Sequence, residues 1–467
     1  MPSKGVQCYS YIAVSGCEIH FSVPGTNIVK NQVKVFGNNH LEVDKKNLKG
    51  PFNFVGTFSF RVLHDGNEIA NESVNINVVS GNLEAGTLKT MENQQAVASS
   101  GIIVAYGYYD AGPGVAGLPS SDQCYVTVTS DQSGWMGQVA PQGSGQAGQP
   151  FSKLFLPAAH DIGMNSMQNA DAVLSSNAIV DALIKINPTF AKIASMMSHD
   201  AVMAIAPNIV RGLAITQKDT LSTILSLGCR YFEFRPAYLH NAIRGLHPIP
   251  DVLYFSHSAI PGMAYERFLA DTVSFLLAHP DEIVVVQLRW DGVPAECAHP
   301  SDQDLANYMN NALAASNGGL VQGSIDDMLH LTISQLREQH KRLILFNPVD
   351  SFSTYTDAGN ATLNGDSIIA EFNQLSPQVQ AGKPFTNLQC QATASNIRDA
   401  VVYSVLAANA SSSCLLATKP ICDAKTLPWI VQNAGRLDGN QLVVAMNDFF
   451  DGATADVCID WSRKRLS

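Results

Sequence analysis

The chain has 467 residues, 46% of them hydrophobic and 15% charged, with 34 Gly and 22 Pro. That length exceeds one ordinary domain, and the composition can bury a large core, which excludes wholesale disorder and collagen-like structure. The formal charge is −11, from 29 basic and 40 acidic residues, so the chain lacks the overall basic field of a nucleic-acid binder or of a protein drawn to anionic lipid by net charge.

The start, Met1-Pro-Ser-Lys-Gly, has no basic-then-apolar leader pattern. Short β runs then fill residues 1–134: Ser10–Val14, Glu18–Val23, Gln32–Phe36, Phe52–Leu63, Ser73–Val79, Ile102–Tyr109 and Cys124–Thr129. Polar and apolar residues alternate in Thr57-Phe-Ser-Phe-Arg-Val, and His64-Asp-Gly-Asn supplies a hairpin turn. This spacing predicts an all-β sandwich over 1–134, a seat for a glycan, protein or membrane ligand. Residues 137–150, rich in Gly, Gln and Pro, read as a flexible linker or a long surface loop.

Strand-like and helix-like segments alternate from residue 135 to residue 467. Lys153–Pro157 is a short apolar run, and a helical pattern at Asp219–Leu227 precedes Cys229-Arg-Tyr-Phe-Glu-Phe-Arg. Leu253-Tyr-Phe-Ser-His, a helix near Tyr265–Ala278 and Ile283-Val-Val-Val-Gln-Leu-Arg follow. Helices near Leu305–Ala315 and Ile333–Gln339 lead to Arg342-Leu-Ile-Leu-Phe-Asn, and Leu442-Val-Val-Ala-Met-Asn-Asp precedes a closing helix at Asp456–Arg465. The pattern predicts a parallel α/β fold, a (β/α) TIM-like barrel over 135–467, with no internal repeat.

One further stretch bears on location. Ile179–Ile215, rich in Ile, Ala and Met, reads either as added core or lid helices or as an apolar surface that docks on bilayers. Its most apolar part is interrupted by His199, Asp200, Pro207, Asn208 and Arg211, too often for a spanning helix. With neither leader nor span, the expected location is the cytoplasm or, by a non-classical route, outside the cell, with peripheral action on membranes. The nine cysteines show no metal-ligand spacing. They read as buried thiols, with local disulfides at Cys8/Cys17 and Cys414/Cys422 as the alternative.

Chemistry gathers at the C-terminal ends of the predicted strands: His160-Asp161, Glu233 and Arg235, His257, Arg289, and Asn447-Asp448. Parallel strands bring such ends to one rim, where barrel enzymes place their active sites. Period-two geometry sets Glu233 and Arg235 on one side of their strand. Two histidines, carboxylates and arginines on one rim amount to an acid/base pair with an anion clamp.

These residues carry a resemblance. Trp135-Met136 followed by Leu156-Pro-Ala-Ala-His-Asp-Ile-Gly resembles the "WM … L-P-G-T-H-D-S" entry of the phosphatidylinositol-specific phospholipase C X-domain family. Gly228-Cys-Arg-Tyr-Phe-Glu-Phe-Arg is similar to its "G-x-R-x-x-D-x-R" strand, Phe255-Ser-His to its second-histidine strand, Phe268–Leu288 to its "F-L-x-x-x-P-x-E-x-V" segment, and Val444–Asp448 to its closing strand. The resemblance covers about residues 135–467.

It implies a phosphodiesterase that cleaves an inositol-type phospholipid or a related glycolipid anchor at a membrane surface, through a cyclic phosphate. Under it His160 is the general base, His257 the general acid, and Asp448 orients His160. Asp161 pairs with His257 and Arg235, and Arg235 stabilises charge on phosphorus. Glu233, Arg289, Asn347 and Gln391 stand where the family contacts its head group. Calcium-dependent relatives place a carboxylate where Arg235 stands, so the expectation is an enzyme without a metal or other cofactor. The departures from the pattern are Ala158-Ala159 for Gly-Thr, Glu233 for Asp, Arg289 for Lys, Asn347 for a basic residue and Gln391 near an expected Asp. They keep two alternatives open: a phosphodiesterase for glycerophosphodiesters or other phospholipids, and a binding protein or toxin with a degenerate barrel.

Overall fold

The computed structural model describes residues 5–81, 83, 94–111, 117–246, 249–394, 396–406 and 413–467. Nine strands form its first part: β1 (Gly5–Ile12), β2 (Cys17–Val23), β3 (Thr26–Lys30), β4 (Gly37–Glu42), β5 (Val55–His64), β6 (Asn67–Asn77), β7 (Val97–Ser99), β8 (Ile102–Tyr109) and β9 (Asp122–Ser130). They make a four-stranded sheet, β3-β2-β5-β6, and a five-stranded sheet, β4-β1-β9-β8-β7. Pairing is antiparallel except between β1 and β9. Period-two alternation buries Phe58, Phe60 and Val62 of β5 together with Val104, Tyr106 and Tyr108 of β8. Asp65 (φ 49°) and Gly66 (φ 80°) both adopt the left-handed conformation that a tight β5–β6 hairpin requires.

One expected strand is absent. Gln32–Phe36 falls on a turn around Lys34 (φ 61°), and the neighbouring strands are β3 and β4. β4, Gly-Asn-Asn-His-Leu-Glu, is a polar edge strand with Leu41 as its one buried residue, so it gave no hydrophobic signal.

The five-stranded sheet is a middle layer. β8 is buried along its whole length and β9 at all but its last residue. One face fills the sandwich, while Ile103, Tyr109 and Tyr125 enter the core of the following α/β part. Polar contacts fasten the layers: Tyr11 Oη donates to Asp456 at 2.7 Å, the Ala96 amide to Asp219 at 2.7 Å and Lys218 Nζ to Gln94 O at 2.9 Å.

The second part contains β10 (Phe155–Ala159), β11 (Tyr231–Phe234), β12 (Pro236–Ala237), β13 (Tyr254–His257), β14 (Ile260–Ala264), β15 (Val284–Leu288), β16 (Gln322–Gly323), β17 (Leu343–Phe346), β18 (Phe352–Ser353), β19 (Phe385–Gln389) and β20 (Leu442–Asn447). Eight of these form one curled sheet in the order β16-β17-β15-β11-β10-β20-β19-β18. Every ladder in it is parallel. β10, β11, β15, β17, β19 and β20 are buried throughout, and such doubly covered strands read as continuous apolar runs. Among the described residues the outermost strands β16 and β18 share no ladder, so the sheet is a partial barrel open on one side.

The strand ending in His257 does not belong to that sheet. β13 pairs antiparallel with β12 and β14 as a small side sheet, whereas its apolar pattern matched a barrel strand; a four-residue run carries no mark of its partner. Ile179–Ile215 folds as helices Asn177–Ile186, Pro188–Ala194 and His199–Ala214. Their apolar residues Ile179, Val180, Leu183, Phe190, Ile193, Val202 and Ile209 are buried in the main core, which gives this stretch a packing role. Residues 137–150 are anchored rather than loose: Ser334 N donates to Ala147 O, Ile333 N to Gln149 O and Arg337 Nη1 to Ala140 O. All nine cysteines are free and buried, so neither local disulfide forms. Among the described residues no helix is long and apolar enough to cross a membrane.

Candidate active site

The rim is assembled from the ends of β10, β11, β15 and β20 and from the side sheet. His160 follows β10, and its amide donates to Asn447 O at 3.0 Å, continuing the β10–β20 ladder. Gln217 locks this junction: its Nε2 donates to His160 O at 2.8 Å and Asn447 O at 3.1 Å, and its Oε1 accepts from Phe450 N at 2.8 Å. Gly163 then lets the side sheet come close. A Cβ there would lie 2.1 Å from Phe255 Cβ, and Met263 N donates to Gly163 O at 2.8 Å. This approach carries His257 to the rim.

Asp161 is the centre of the cluster. Its carboxylate is 1% exposed, 3.6 Å from His160 Nε2, 3.8 Å from His257 Nε2 and 2.9 Å from Arg235 Nη2. Both of its oxygens are buried and accept no hydrogen bond among the described residues. On the far side, His160 Nδ1 meets Asp448 Oδ1 at 2.8 Å, which turns Nε2 toward Asp161. Asp161 (φ 44°), Ser258 (φ 56°) and Phe449 (φ 44°) all have left-handed backbones beside the cluster, a cost sustained only where surrounding contacts fix the conformation.

Glu233 lies beneath two arginines. One oxygen meets Arg235 Nη2 at 2.6 Å and the other meets Arg289 Nη1 at 3.1 Å, while Arg289 Nε reaches Asp291 at 2.6 Å. At 1% exposure Glu233 is a counter-ion that positions guanidiniums. Arg235 and Arg289 are 13% and 29% exposed, so they are the charges able to meet an anion. Asn347 is exposed beyond β17 in a separate depression with Asp302 and Leu305. Gln391 is buried, with its side-chain amide on Gln389 and its backbone carbonyl accepting from Asn360 Nδ2. Among the described residues, no hydrogen bond or ion pair joins Asn347 or Gln391 to the cluster.

Electrostatics separate the two histidines. Partial burial disfavours a charged His160, but Asp161 and Asp448 outweigh it and push the imidazole up to about 9. For His257 burial dominates; Asp161 opposes it, Arg235 and His160 reinforce it, and the ring is pushed down to about 4. Burial would raise Asp161, yet Arg235 and the two histidines hold it down to about 2. Near neutrality the free site therefore holds a protonated His160 and a neutral His257. This is the reverse of the roles that the resemblance implies for a substrate complex.

The sequence reading missed three contributors. Gln217 joins the β10 and β20 ends, but a lone Gln in a polar stretch carries no signal. Tyr355 is 44% exposed, and burial first, then Asp357 and more weakly Asp448, raise its hydroxyl; it follows the mostly polar Asp350-Ser-Phe-Ser-Thr, which gave no mark. Beneath the rim Lys419, 1% exposed, pairs with Asp423 and Asp451, and Asn447 Nδ2 donates to Asp423 at 2.8 Å.

His160, Asp161 and Glu233 offer three ligand atoms within 4.8 Å of one another. Arg235 pairs with both of those carboxylates, neutralising them and placing a positive charge that would repel a divalent ion, so this donor set does not fit such an ion.

Fold and site together define a parallel α/β protein with two histidines, two arginines and their carboxylate partners gathered on the C-terminal rim of its sheet. No protein-family model matches the chain, and no curated protein matches it. Solved structures of the phosphatidylinositol-specific phospholipase C of Staphylococcus aureus do align with it. One variant is 13% identical, covering 70% of this chain and 96% of that one at a TM-score of 0.42. A pentafluoro-Phe form is 12% identical, covering 70% and 98% at 0.41, and a third structure is 14% identical, covering 70% and 97% at 0.40.

Proposed function

We propose that this protein is a metal-independent phosphodiesterase that cleaves an inositol-type phospholipid, or a glycolipid anchor of that kind, by histidine acid–base catalysis. One observation carries the reading: the buried Asp161 carboxylate stands between His160 and His257, with Arg235 at 2.9 Å, on one rim. Two imidazoles of opposite protonation provide one donor and one acceptor, and a fixed guanidinium meets charge developing on phosphate oxygens.

In the reaction His160 Nε2 takes the proton of a ring hydroxyl adjacent to the phosphate. That oxygen bonds to phosphorus, the bond to the glycerol oxygen breaks, and His257 gives the leaving oxygen its proton. The products are a cyclic phosphate and diacylglycerol. Because the free site holds its proton on His160, substrate binding must move it: burial first and the field of Arg235 after it keep His257 neutral, the phosphate anion offsets that field and draws a proton to the ring, and His257 becomes the proton carrier. Arg289, tethered to Glu233 and Asp291, is the second cation available to the head group.

The test is a panel of phosphodiester lipids and soluble phosphodiesters assayed in excess chelator, with wild type, His160→Ala and His257→Ala. Both variants should lose turnover on natural leaving groups, while a nitrophenyl leaving group, which needs no proton, restores His257→Ala selectively. Restoration of His160→Ala instead would exchange the two roles. Full activity of either variant on natural substrate, or collapse in chelator with calcium rescue, would overturn the proposal.

A further inference from the structure

We infer that the tip of the sandwich between β4 and β5, together with Val79, is a docking site for an anionic lipid bilayer. The segment reads Asp44-Lys-Lys-Asn-Leu-Lys-Gly-Pro-Phe-Asn-Phe-Val. Its apolar side chains point away from the core: Phe52 is 87% exposed, Val79 65%, Phe54 40% and Val55 37%. They form one patch, because Val78 N donates to Phe54 O at 2.8 Å and Val55 pairs with Asn77.

The loop is built rather than slack. Lys45 Nζ donates to Gly50 O at 3.0 Å and also to Asn53 O, and it sits 4.8 Å over the Phe54 ring. Asp44 caps the short turn at Lys46 N, and Leu48 is drawn inward over Gly56. This framework leaves Phe52 at the apex. Lys46, 77% exposed beside Asp44, and the exposed Lys49 flank it. Within the tip three lysines stand against one aspartate, although the chain as a whole carries −11. Exposed aromatic and aliphatic residues ringed by lysines suit the headgroup region of an anionic bilayer, where rings bury and ammonium groups stay with phosphate.

The fold gives this patch its direction. At one end of β9, Gln123 Nε2 donates to Ala417 O at 3.3 Å; at the other, Gln132 N donates to Ser226 O and Arg230 Nη2 to Gln132 O, beside the start of β11. The Ser130 end of β9 therefore lies at the N-terminal face of the parallel sheet, and the Asp122 end lies at the catalytic face. β1 runs parallel to β9 with Val6 opposite Asp122, and β4 ends at Glu42 opposite Gly5. The chain leaving Glu42 thus emerges at the catalytic end of the molecule. A single membrane plane can touch the tip and face the His160–His257 rim. The helices of residues 177–214, whose apolar faces are buried, do not offer this contact.

Binding is read without turnover, so this inference and the phosphodiesterase reading can fail separately. The full chain is sedimented with phosphatidylcholine vesicles and with vesicles containing phosphatidylserine, at low and high salt. Wild type should bind the anionic vesicles more tightly and lose part of that binding in salt. Phe52→Asp should weaken binding about tenfold or more. Lys46→Glu with Lys49→Glu should weaken it on anionic vesicles alone, by about fivefold per lysine. Because the three residues are exposed, thermal midpoints and turnover of a soluble phosphodiester should match wild type. Absence of wild-type binding to any vesicle would overturn the inference and leave the tip to a protein partner. Variants that bind as wild type would overturn it too.

Discussion

Replacing Asp161 with Asn keeps the side-chain shape and removes the charge on which both histidines depend. The ring nitrogens lie 3.6 and 3.8 Å from this carboxylate. Raising His160 from 6.5 to about 9 corresponds to about 3 kcal/mol, won against burial by Asp161 first and Asp448 second. Loss of the Asp161 attraction, the largest single cause that raises the ring, should bring His160 back toward neutrality. His257, held at about 4 by burial with Asp161 opposing, should fall further. In wild type, kcat/KM, which reports the free enzyme, should decline below about 4, where both rings are charged, and above about 9, where neither is. These are properties of the coupled pair. In Asp161→Asn both limbs should move to lower pH. The assays are a ring-nitrogen NMR titration of the histidines and the pH dependence of kcat/KM on a soluble phosphodiester. An unmoved basic limb, or limbs that move in opposite directions, would refute the electrostatic account. Arg235→Gln provides the contrast: its charge helps to hold His257 down, so its loss should move the acid limb up and cut turnover by about 10²–10³.

Other outcomes follow from the same contacts. The raised His160 contributes stability that is complete below pH 6.5 and lost as pH rises through about 9, while the lowered His257 costs stability as pH falls from 6.5 to about 4. The thermal midpoint of wild type should therefore fall relative to that of His257→Asn over that acid range. Gly163→Ala forces a Cβ to 2.1 Å from Phe255, and denaturant titration should show a loss of about 1–3 kcal/mol, with reduced turnover as His257 is displaced. Lys419→Met leaves Asp423 and Asp451 without their buried cation and should cost about 3–5 kcal/mol in the same titration.

Most of the rim was readable because each residue is tied to a local pattern. His160, Arg235, Arg289 and Asp448 each follow or end an apolar run that became a buried parallel strand, and parallel strands align their ends without further information. His257 was placed correctly at a strand end but on the wrong sheet, since an antiparallel side strand of four residues has the same composition as a barrel strand. Asn347 and Gln391 also follow strands, yet the turn of the chain after each strand decides where a side chain points, and that turn depends on distant packing. The Lys419–Asp423–Asn447 network lay outside that reading: Lys419 and Asp423 stand one turn apart on a single helix, but Asn447 becomes their partner only once that helix and its strand are packed. The sandwich showed its core strands through alternation and concealed β4, whose polar edge buries almost nothing.

The central claim is that His160, His257 and Arg235 act together around one phosphorus atom. Its most direct test is ³¹P NMR of phosphatidylinositol in mixed micelles with the full chain in excess EDTA, alongside His160→Ala. The account predicts a cyclic inositol phosphate signal with wild type and none with the variant. An unchanged lipid phosphorus signal with wild type, or the same cyclic product at the same rate from His160→Ala, would contradict it.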